Sequence, residues 1–155
     1  MHDAFDPDSD TDADPGKEEI ADGEQGKIMT LKHILLVMLG GGLGAASRYT
    51  ISLVSAKCWG VNFPWGTLVV NLAGCFLIGL LFALAERSRL LGPDLRLLLI
   101  TGYLGALTTF STFALETVNS GFPLMTLRPF INILANNVGG LSLTLFGLWL
   151  GGLIK

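Results

Sequence analysis

The sequence is poor in the side chains that catalysis, metal binding and disulfide formation require. Two cysteines and two histidines occur in 155 residues, and Cys58 and Cys75 lack the spacing of a zinc or redox motif. No titratable residues form a constellation typical of acid–base or nucleophilic catalysis. Charged residues make up only 15% of the chain, against 50% hydrophobic residues and a mean hydropathy of +0.57. The composition therefore argues against an enzyme and predicts a membrane protein without a disulfide or zinc site.

Acidic residues are scarce after residue 27. Residues 1–27 contain ten acidic and two basic residues, whereas residues 28–155 contain three acidic and eight basic ones. The acidic segment has almost no apolar side chains to bury, so we predict that residues 1–30 form a disordered acidic tail. This segment lacks the basic start and apolar core of a signal peptide, so we expect it to be retained.

Four long apolar segments follow the tail. A membrane-spanning helix needs about 20 mainly apolar residues. The segments that meet this requirement are approximately 33–55, 65–86, 96–118 and 129–153. Trp59, Trp65 and Trp149 lie near the ends of these segments, where interfacial anchors are common. The sequence therefore predicts an all-α protein of the cell membrane, in which residues 31–155 form one four-helix transmembrane domain surrounded by lipid.

Glycine is abundant in the apolar part of the chain. Seventeen of the twenty glycines follow residue 32, and small residues let spanning helices approach closely. Four helices enclose little interior space, so a conducting path through this domain would require a second copy. We therefore expect a dimer.

The third apolar segment contains an unusual polar stretch. Residues 105–113 are Gly-Ala-Leu-Thr-Thr-Phe-Ser-Thr-Phe. Hydrocarbon offers hydroxyl groups no partners, and a glycine followed by β-branched threonines is a poor continuation of a helix. This pattern predicts a helix that is broken at mid-membrane, with backbone carbonyls released to bind an ion, as in many transporters.

Polar residues also occur in the other three segments. Arg48 lies in the first, where it either extends to the membrane surface or lines a wet cavity. Asn71 in the second is either a hydrogen-bonding contact between helices or a donor to an anion. In the fourth, Asn132, Asn136 and Thr144 fall at intervals of four and eight residues and share one helix face. This face favours a polar path, with serial helix–helix hydrogen bonds as the alternative.

The polar groups of the spans favour an anion over a cation. Glu116 is the only acidic residue in the spans apart from their ends, whereas cation paths usually offer carboxylates or rows of carbonyls. Amides and the hydroxyls of Ser111 and Thr112 are available as donors, and the edge of a phenylalanine ring is electropositive. Phe110 and Phe113 would then hold a small anion edge-on, although packing in a core is the commoner role of such a pair.

Three ordered motifs resemble those of a known family. They are Gly-Gly-Gly-Leu-Gly-Ala…Arg-Tyr at 40–49, Gly-Thr-Leu-Val-Val-Asn…Gly at 66–74, and the stretch at 105–113. From about Gly40 to Gly152 the chain resembles the CrcB/Fluc fluoride-channel family. The resemblance implies a passive, fluoride-selective channel that exports fluoride from the cytoplasm, formed by two antiparallel subunits around one structural sodium ion.

The resemblance also implies roles for individual residues. The sodium ligands would be the backbone carbonyls of Gly105 and Thr108, contributed by both subunits. The residues assigned to the pore, from the motifs and from the polar pattern together, are Asn71, Phe110, Phe113, Ser111, Thr112, Arg48, Asn132 and Asn136. Two positions depart from the family: Ala106 replaces a usual glycine, and the fourth segment has asparagines where the family usually shows Tyr and Ser.

Two other classes of protein compete with this interpretation. Small proton-coupled multidrug exporters also use four helices and antiparallel dimers, but they need a carboxylate in the first span, where this chain has Arg48. A noncatalytic membrane scaffold that packs through its glycines would leave the hydroxyl cluster unexplained.

The distribution of basic residues favours one orientation in the membrane. Six lie beyond one end of the spans and two beyond the other; the six are Lys27, Lys32, Arg87, Arg89, Arg96 and Lys155, and the two are Lys57 and Arg128. Positive-inside counting places both termini in the cytoplasm. An antiparallel pair would then need a sibling subunit of opposite bias, so homodimer and heterodimer both stay open.

We predict that the orientation follows these charges. Two lysines added to the 57–64 loop, together with neutralisation of Arg87 and Arg89, should reverse the side on which a terminal tag is accessible. The unmodified chain expressed alone should give little fluoride resistance, and a sibling of opposite bias should restore it. Robust resistance from the single chain in fluoride-sensitive cells would instead show that it inserts both ways.

Overall fold

The chain is helical throughout the part that the structure describes. The computed structural model describes residues 15–87, 91–121 and 126–154. Four helical segments in these ranges are long and apolar enough to cross a membrane: Gly26–Trp59, Trp65–Glu86, Pro93–Ser120 and Arg128–Leu153. The prediction of an all-α protein with four spanning segments is confirmed, and the first segment is longer than its sequence pattern indicated.

The four spans comprise seven α-helices and two π-helical segments. The α-helices are α1 (Pro15–Trp59), α2 (Trp65–Arg87), α3 (Pro93–Arg96), α4 (Gly105–Leu107), α5 (Phe110–Gly121), α6 (Arg128–Leu134) and α7 (Gly140–Leu153). The π-helical segments are Leu97–Leu104 in the third span and Ala135–Gly139 in the fourth. A π-helical turn takes in one more residue than an α-helical turn, so it changes which side chains share a face.

The described residues fall into two compact units, which are divided between Ile34 and Leu35 along the chain. In the first unit the helix begins at Pro15, inside the segment 1–30 that the sequence predicts to be disordered. Proline suits the first turn of a helix because its missing N–H would have no helical acceptor there. Residues 1–14, together with Arg89 and Lys155, lie outside the described residues.

Glycines bring α1 close to the third span within the second unit. A Cβ on Gly40 would overlap the carbonyl oxygen of Leu98, and a Cβ on Gly44 would overlap that of Tyr103. The Tyr103 hydroxyl donates to Ser47 Oγ at 3.2 Å across the same contact. These glycines therefore serve as contact surfaces between two backbones, as expected for spanning helices.

Glycines also form the contact between α2 and α7. A Cβ on Gly79 would overlap the carbonyl oxygen of Thr144, and a Cβ on Gly147 would overlap that of Phe76. The Thr144 hydroxyl donates to the Cys75 carbonyl at 3.1 Å, which adds a hydrogen bond between the two helices. The absence of side chains on facing glycines thus sets the separation of α2 from α7.

Few large apolar side chains are buried. Val70, Leu104 and Leu107 form the buried cluster that joins α2 to the third span. Large apolar residues on the outer surface stay exposed, including Leu141 at 70% and Leu145 at 67%. This pattern suits a protein whose solvent is hydrocarbon, because apolar side chains need no burial there.

Arg96 joins the start of the third span to the end of α2. Its Nε donates to the Leu91 carbonyl at 3.1 Å, and a terminal nitrogen donates to the Ala85 carbonyl in the last turn of α2. Its guanidinium also lies 3.8 Å from the carboxylate of Glu86. The last carbonyls of a helix lack helical donors and carry partial negative charge, so a guanidinium is a suitable cap.

We predict that Gly79 tolerates no side chain. Gly79→Leu should lower the free energy of unfolding by about 2–3 kcal/mol, because the new side chain would force α2 and α7 apart. Gly26→Leu is the matched control, since a Cβ at this helical glycine meets no atom within 4 Å. Thermal unfolding in detergent measures both variants, and equal losses would contradict the close contact of α2 with α7.

Candidate ion-binding cavity

Two residues separate α4 from α5 in the middle of the third span. Thr108 has an extended backbone with φ −82° and ψ 155°, and Thr109 follows it before α5 begins at Phe110. We call Thr108 and Thr109 the junction. The Thr109 hydroxyl accepts a hydrogen bond from the Thr112 N–H at 3.3 Å, as an N-cap does for the third residue of a helix. The cap stabilises the start of α5 at this point.

The junction removes the helical donors of backbone carbonyls that precede α5. In a continuous α-helix the Thr109 N–H would bond to the Gly105 carbonyl, and the Thr112 N–H would bond to the Thr108 carbonyl. The Thr109 N–H instead donates to Asn71 Oδ1 at 3.0 Å, and the Thr112 N–H donates to the Thr109 hydroxyl. The carbonyls of Gly105 and Thr108, the predicted sodium ligands, are therefore two of the carbonyls that lose a helical donor at the junction.

Asn71 on α2 pairs with the backbone of the junction. Its Oδ1 accepts from the Thr109 N–H at 3.0 Å, and its Nδ2 donates to the Thr109 carbonyl at 3.3 Å. The same Nδ2 also donates to Asn136 Oδ1 at 3.0 Å. Asn71 therefore connects α2, the junction and the fourth span through one side chain.

The asparagines of the fourth span continue these hydrogen bonds toward α5. Asn136 Nδ2 donates to Asn132 Oδ1 at 2.9 Å and to the Asn132 carbonyl at 3.0 Å. Asn132 is fully buried, and its Nδ2 donates to Thr117 Oγ1 on α5 at 2.7 Å. Asn132 and Asn136 thus share a face, as their spacing predicted, and both engage in helix–helix contacts.

The hydroxyls of the polar stretch bond mainly to one another. Thr109 Oγ1 lies 3.3 Å from Ser111 Oγ and 3.1 Å from Thr112 Oγ1. Because a hydroxyl both donates and accepts, this group of three can reorganise its hydrogen bonds without leaving an oxygen unpaired.

The two phenylalanines differ in their surroundings. Their ring centroids are 5.7 Å apart, and the ring planes are tilted by 53°. Phe113 is buried, with 8% of its surface exposed, whereas Phe110 is 79% exposed. Their sequence spacing predicted a pair, and the structure adds that only Phe113 is enclosed by its own chain.

A cavity of about 390 Å³ lies beside the junction. Its walls come from α2, the third span and the fourth span, and it includes six predicted site residues: Asn71, Gly105, Thr108, Phe110, Phe113 and Asn136. Among the described residues that line it, none carries a charge. Of the other predicted site residues, Ser111 and Thr112 bond to Thr109 on its rim, and Asn132 lies behind Asn136.

Two charged residues of the spans lie apart from this cavity. Arg48 on α1 is half-buried and makes no hydrogen bond or ion pair with another described residue, so neither interpretation of its role is favoured. Glu116 on α5 has one buried carboxylate oxygen, Oε2, that has no hydrogen-bond partner in the described part of the chain. Neither residue lines the cavity.

A metal ion at this site would have to use oxygen atoms of the backbone or hydroxyls. No group of three His, Cys, Asp or Glu side chains suited to a metal occurs within 15–87, 91–121 and 126–154. The backbone carbonyls of Gly105 and Thr108 remain the predicted ligands of such an ion.

Three residues that were not among the predicted site residues also contribute to the site. Thr109 caps α5 and pairs with Asn71, Thr117 bonds to Asn132, and Asn137 lines the cavity beside Asn136. A threonine directly before a helix start is a recognisable cap pattern. The involvement of Asn137 depends on the π-helical turn at Ala135–Gly139, for which the sequence contains no pattern that we recognise.

Four helices able to span a membrane, three of which line an uncharged, hydrogen-bonding cavity, define a multi-pass membrane protein. The family described as "CrcB-like protein, Camphor Resistance (CrcB)" matches residues 35–148, which include every element that contributes to the cavity. This chain belongs to that family.

Relatives with assigned names support the same conclusion. A protein named "Fluoride-specific ion channel FluC" from Dehalococcoides mccartyi is 44% identical over 123 residues, which are 79% of this chain and 95% of that protein. Proteins of the same name from Legionella pneumophila and Trichormus variabilis are 43% and 51% identical. The Legionella match covers 77% of this chain and 89% of that protein. The Trichormus match covers 57% of this chain and 65% of that protein.

Proposed function

We propose that this protein is a fluoride-selective passive ion channel that lets fluoride leave the cytoplasm. The observation that carries the proposal is the uncharged cavity at the junction, which asparagine, threonine and phenylalanine side chains line in a chain of the CrcB family. The relatives described above are named as fluoride-specific ion channels, and the proposal extends that activity to this chain.

An anion is favoured by the chemistry of the cavity wall. The wall combines asparagine amides and threonine hydroxyls with two phenylalanine rings, and no described wall residue is a carboxylate. The Asn71 donor bond to the Thr109 carbonyl, at 3.3 Å, is longer than its 3.0 Å bond to Asn136. This longer bond is the one that we expect fluoride to replace, because weak hydrogen bonds are the easiest to exchange.

The proposed path follows the residues that the sequence pointed to. Fluoride passes Asn71, the edges of Phe110 and Phe113, and the hydroxyls of Ser111 and Thr112. Arg48 would attract it at a mouth of the path. Asn136 forms part of the wall, and Asn132 supports Asn136 from behind.

We further propose that the junction is the functional break of the third helix and that two antiparallel subunits meet there. Among the described residues, the one atom that a Cβ on Gly105 would approach is the Ile100 carbonyl oxygen of the same chain, at 3.9 Å. Phe110 is also largely exposed. Both observations suit a surface that a partner covers. The Gly105 and Thr108 carbonyls of the two subunits would hold a structural sodium ion, whose charge would bind the subunits together. The partner is a second copy or a paired sibling subunit.

The multidrug-exporter alternative has no support in the site. Proton coupling in such exporters needs a carboxylate in the first span, and α1 has no acidic residue between Gly26 and Trp59.

The deciding experiment is fluoride efflux from liposomes that contain the purified protein, with chloride as the comparison ion. We expect rapid fluoride efflux down its gradient and negligible chloride efflux. Equal rates for the two anions would refute fluoride selectivity, and dependence on a proton gradient would favour an exporter.

We predict that the phenylalanine edges are essential for conduction. Phe110→Ile and Phe113→Ile keep apolar bulk but remove the electropositive edge, so each should lower fluoride flux at least about tenfold, equivalent to roughly 1.4 kcal/mol on the barrier. Phe82→Ile is the control, because Phe82 is 53% exposed on α2 and lies outside the cavity. If a correctly assembled protein that carries both Phe110→Ile and Phe113→Ile showed full flux, the two phenylalanines would serve only in packing.

We predict that Gly105 is required for assembly rather than for folding of the single chain. Gly105→Leu should leave helix content unchanged, because its own chain leaves space for a Cβ, yet it should abolish dimer formation and flux. Thr108→Ser should have a small effect because it keeps the carbonyl. Size-exclusion chromatography with light scattering measures assembly. Flux that is indifferent to replacing all sodium by a large organic cation would contradict the sodium assignment.

A further inference from the structure

Polar side chains at the cavity form one continuous series of hydrogen bonds, which we call the relay. In order from the junction, the relay consists of Thr109, Asn71, Asn136, Asn132 and Thr117. Thr117 then donates to the Phe113 carbonyl at 2.6 Å. The relay therefore leaves the chain at Thr109, directly before α5, passes through α2 and the fourth span, and returns to α5 at Thr117, about two helical turns later.

The relay encloses the part of α5 that carries the proposed pore phenylalanines. Phe110 is the first residue of α5, and Phe113 contributes the carbonyl at which the relay ends. Rotation or sliding of α5 against α2 and the fourth span would break a hydrogen bond at Thr109 or at Thr117, which lie on either side of both phenylalanines. The relay therefore opposes rotation of this part of α5.

The hydrogen bonds of the relay all run in one direction. Each asparagine accepts through its Oδ1 and donates through its Nδ2 to the next member, beginning with the Thr109 N–H. Thr117 accepts from Asn132 at 2.7 Å and donates its own proton to Phe113. Hydrogen bonds in such a series polarise one another, so the loss of one member affects the others.

The far end of the relay is the part that water reaches least. Asn132 is 0% exposed, and Thr117 and Phe113 are 8% exposed. If Thr117 lost its hydroxyl, the buried Asn132 amide would lose an acceptor and could not replace it with water. A buried donor without a partner is unfavourable, so the relay would have to rearrange.

We propose that Thr117, acting through Asn132, is a positioning residue that sets the rotation of α5 and the orientation of the Phe113 ring in the ion path. Thr117 neither lines the cavity nor contacts the ion in this proposal. Its importance for flux rests on the proposed channel function, whereas its effect on the relay does not.

The first test compares two substitutions of Thr117. Thr117→Val is nearly isosteric but removes the hydroxyl, and we expect it to lower fluoride flux per assembled channel at least fivefold. Thr117→Ser keeps the hydroxyl and should remain within twofold of the wild type. Thr50→Val is the matched control, because the Thr50 hydroxyl makes only a 2.9 Å bond to the Ala46 carbonyl, one turn back in its own helix. It should leave flux unchanged.

The second test measures the relay directly at its other end. The Thr109 amide is protected by its hydrogen bond to Asn71. Three further hydrogen bonds of the relay connect Asn71 to Thr117. Hydrogen exchange of this amide, followed by NMR in detergent micelles, should accelerate at least fivefold in Thr117→Val but not in Thr117→Ser or Thr50→Val. A purely local contact of Thr117 would not change exchange at the junction.

The outcomes separate the positioning role from the channel function. Similar flux for Thr117→Val and Thr117→Ser would overturn the positioning role, and so would a loss of flux with unchanged exchange at Thr109. If the wild type conducts no fluoride, the proposed function fails, and the exchange measurement alone decides whether the relay exists. Accelerated exchange in the valine variant alone would then still support it.

Discussion

The hydrogen bonds between Asn71 and the backbone of Thr109 are the interaction on which the site depends. A helix that is interrupted inside a membrane leaves N–H and C=O groups that hydrocarbon cannot satisfy. Asn71 supplies an acceptor for the Thr109 N–H and a donor for its carbonyl. At the junction, a side chain from another helix therefore replaces helical hydrogen bonds that the Thr109 backbone would otherwise make.

Glycines make this pairing geometrically possible. A Cβ on Gly74, three residues after Asn71 on α2, would overlap the Thr108 methyl group, so only glycine lets the junction approach α2 this closely. The glycines at the contacts of α1 and α7 have the same effect on the other helices. Small-residue packing and the polar site, which the sequence presents as separate features, are therefore parts of one arrangement.

The sequence was sufficient to predict the four spans and to single out six of the residues that line the cavity. Hydropathy identifies spanning helices because hydrocarbon selects composition directly, and Asn71 is conspicuous because an amide is rare in such a segment. The sequence could not separate Phe110 from Phe113, since the difference in their exposure depends on how α5 is rotated against neighbouring helices. Thr117 was missed for a similar reason: its partner Asn132 comes from another span, and no local pattern records that contact.

Arg96 shows that one charge can have two separable consequences. For insertion, only the sign of the charge near the end of a span matters, and lysine would serve equally well. For folding, the planar guanidinium matters, because it reaches the Leu91 and Ala85 carbonyls together, whereas an ammonium is a single point of charge. Replacement of Arg96 by lysine should therefore leave the orientation of the chain in the membrane unchanged. The same replacement should disturb the tertiary structure, because lysine cannot reach both carbonyls together.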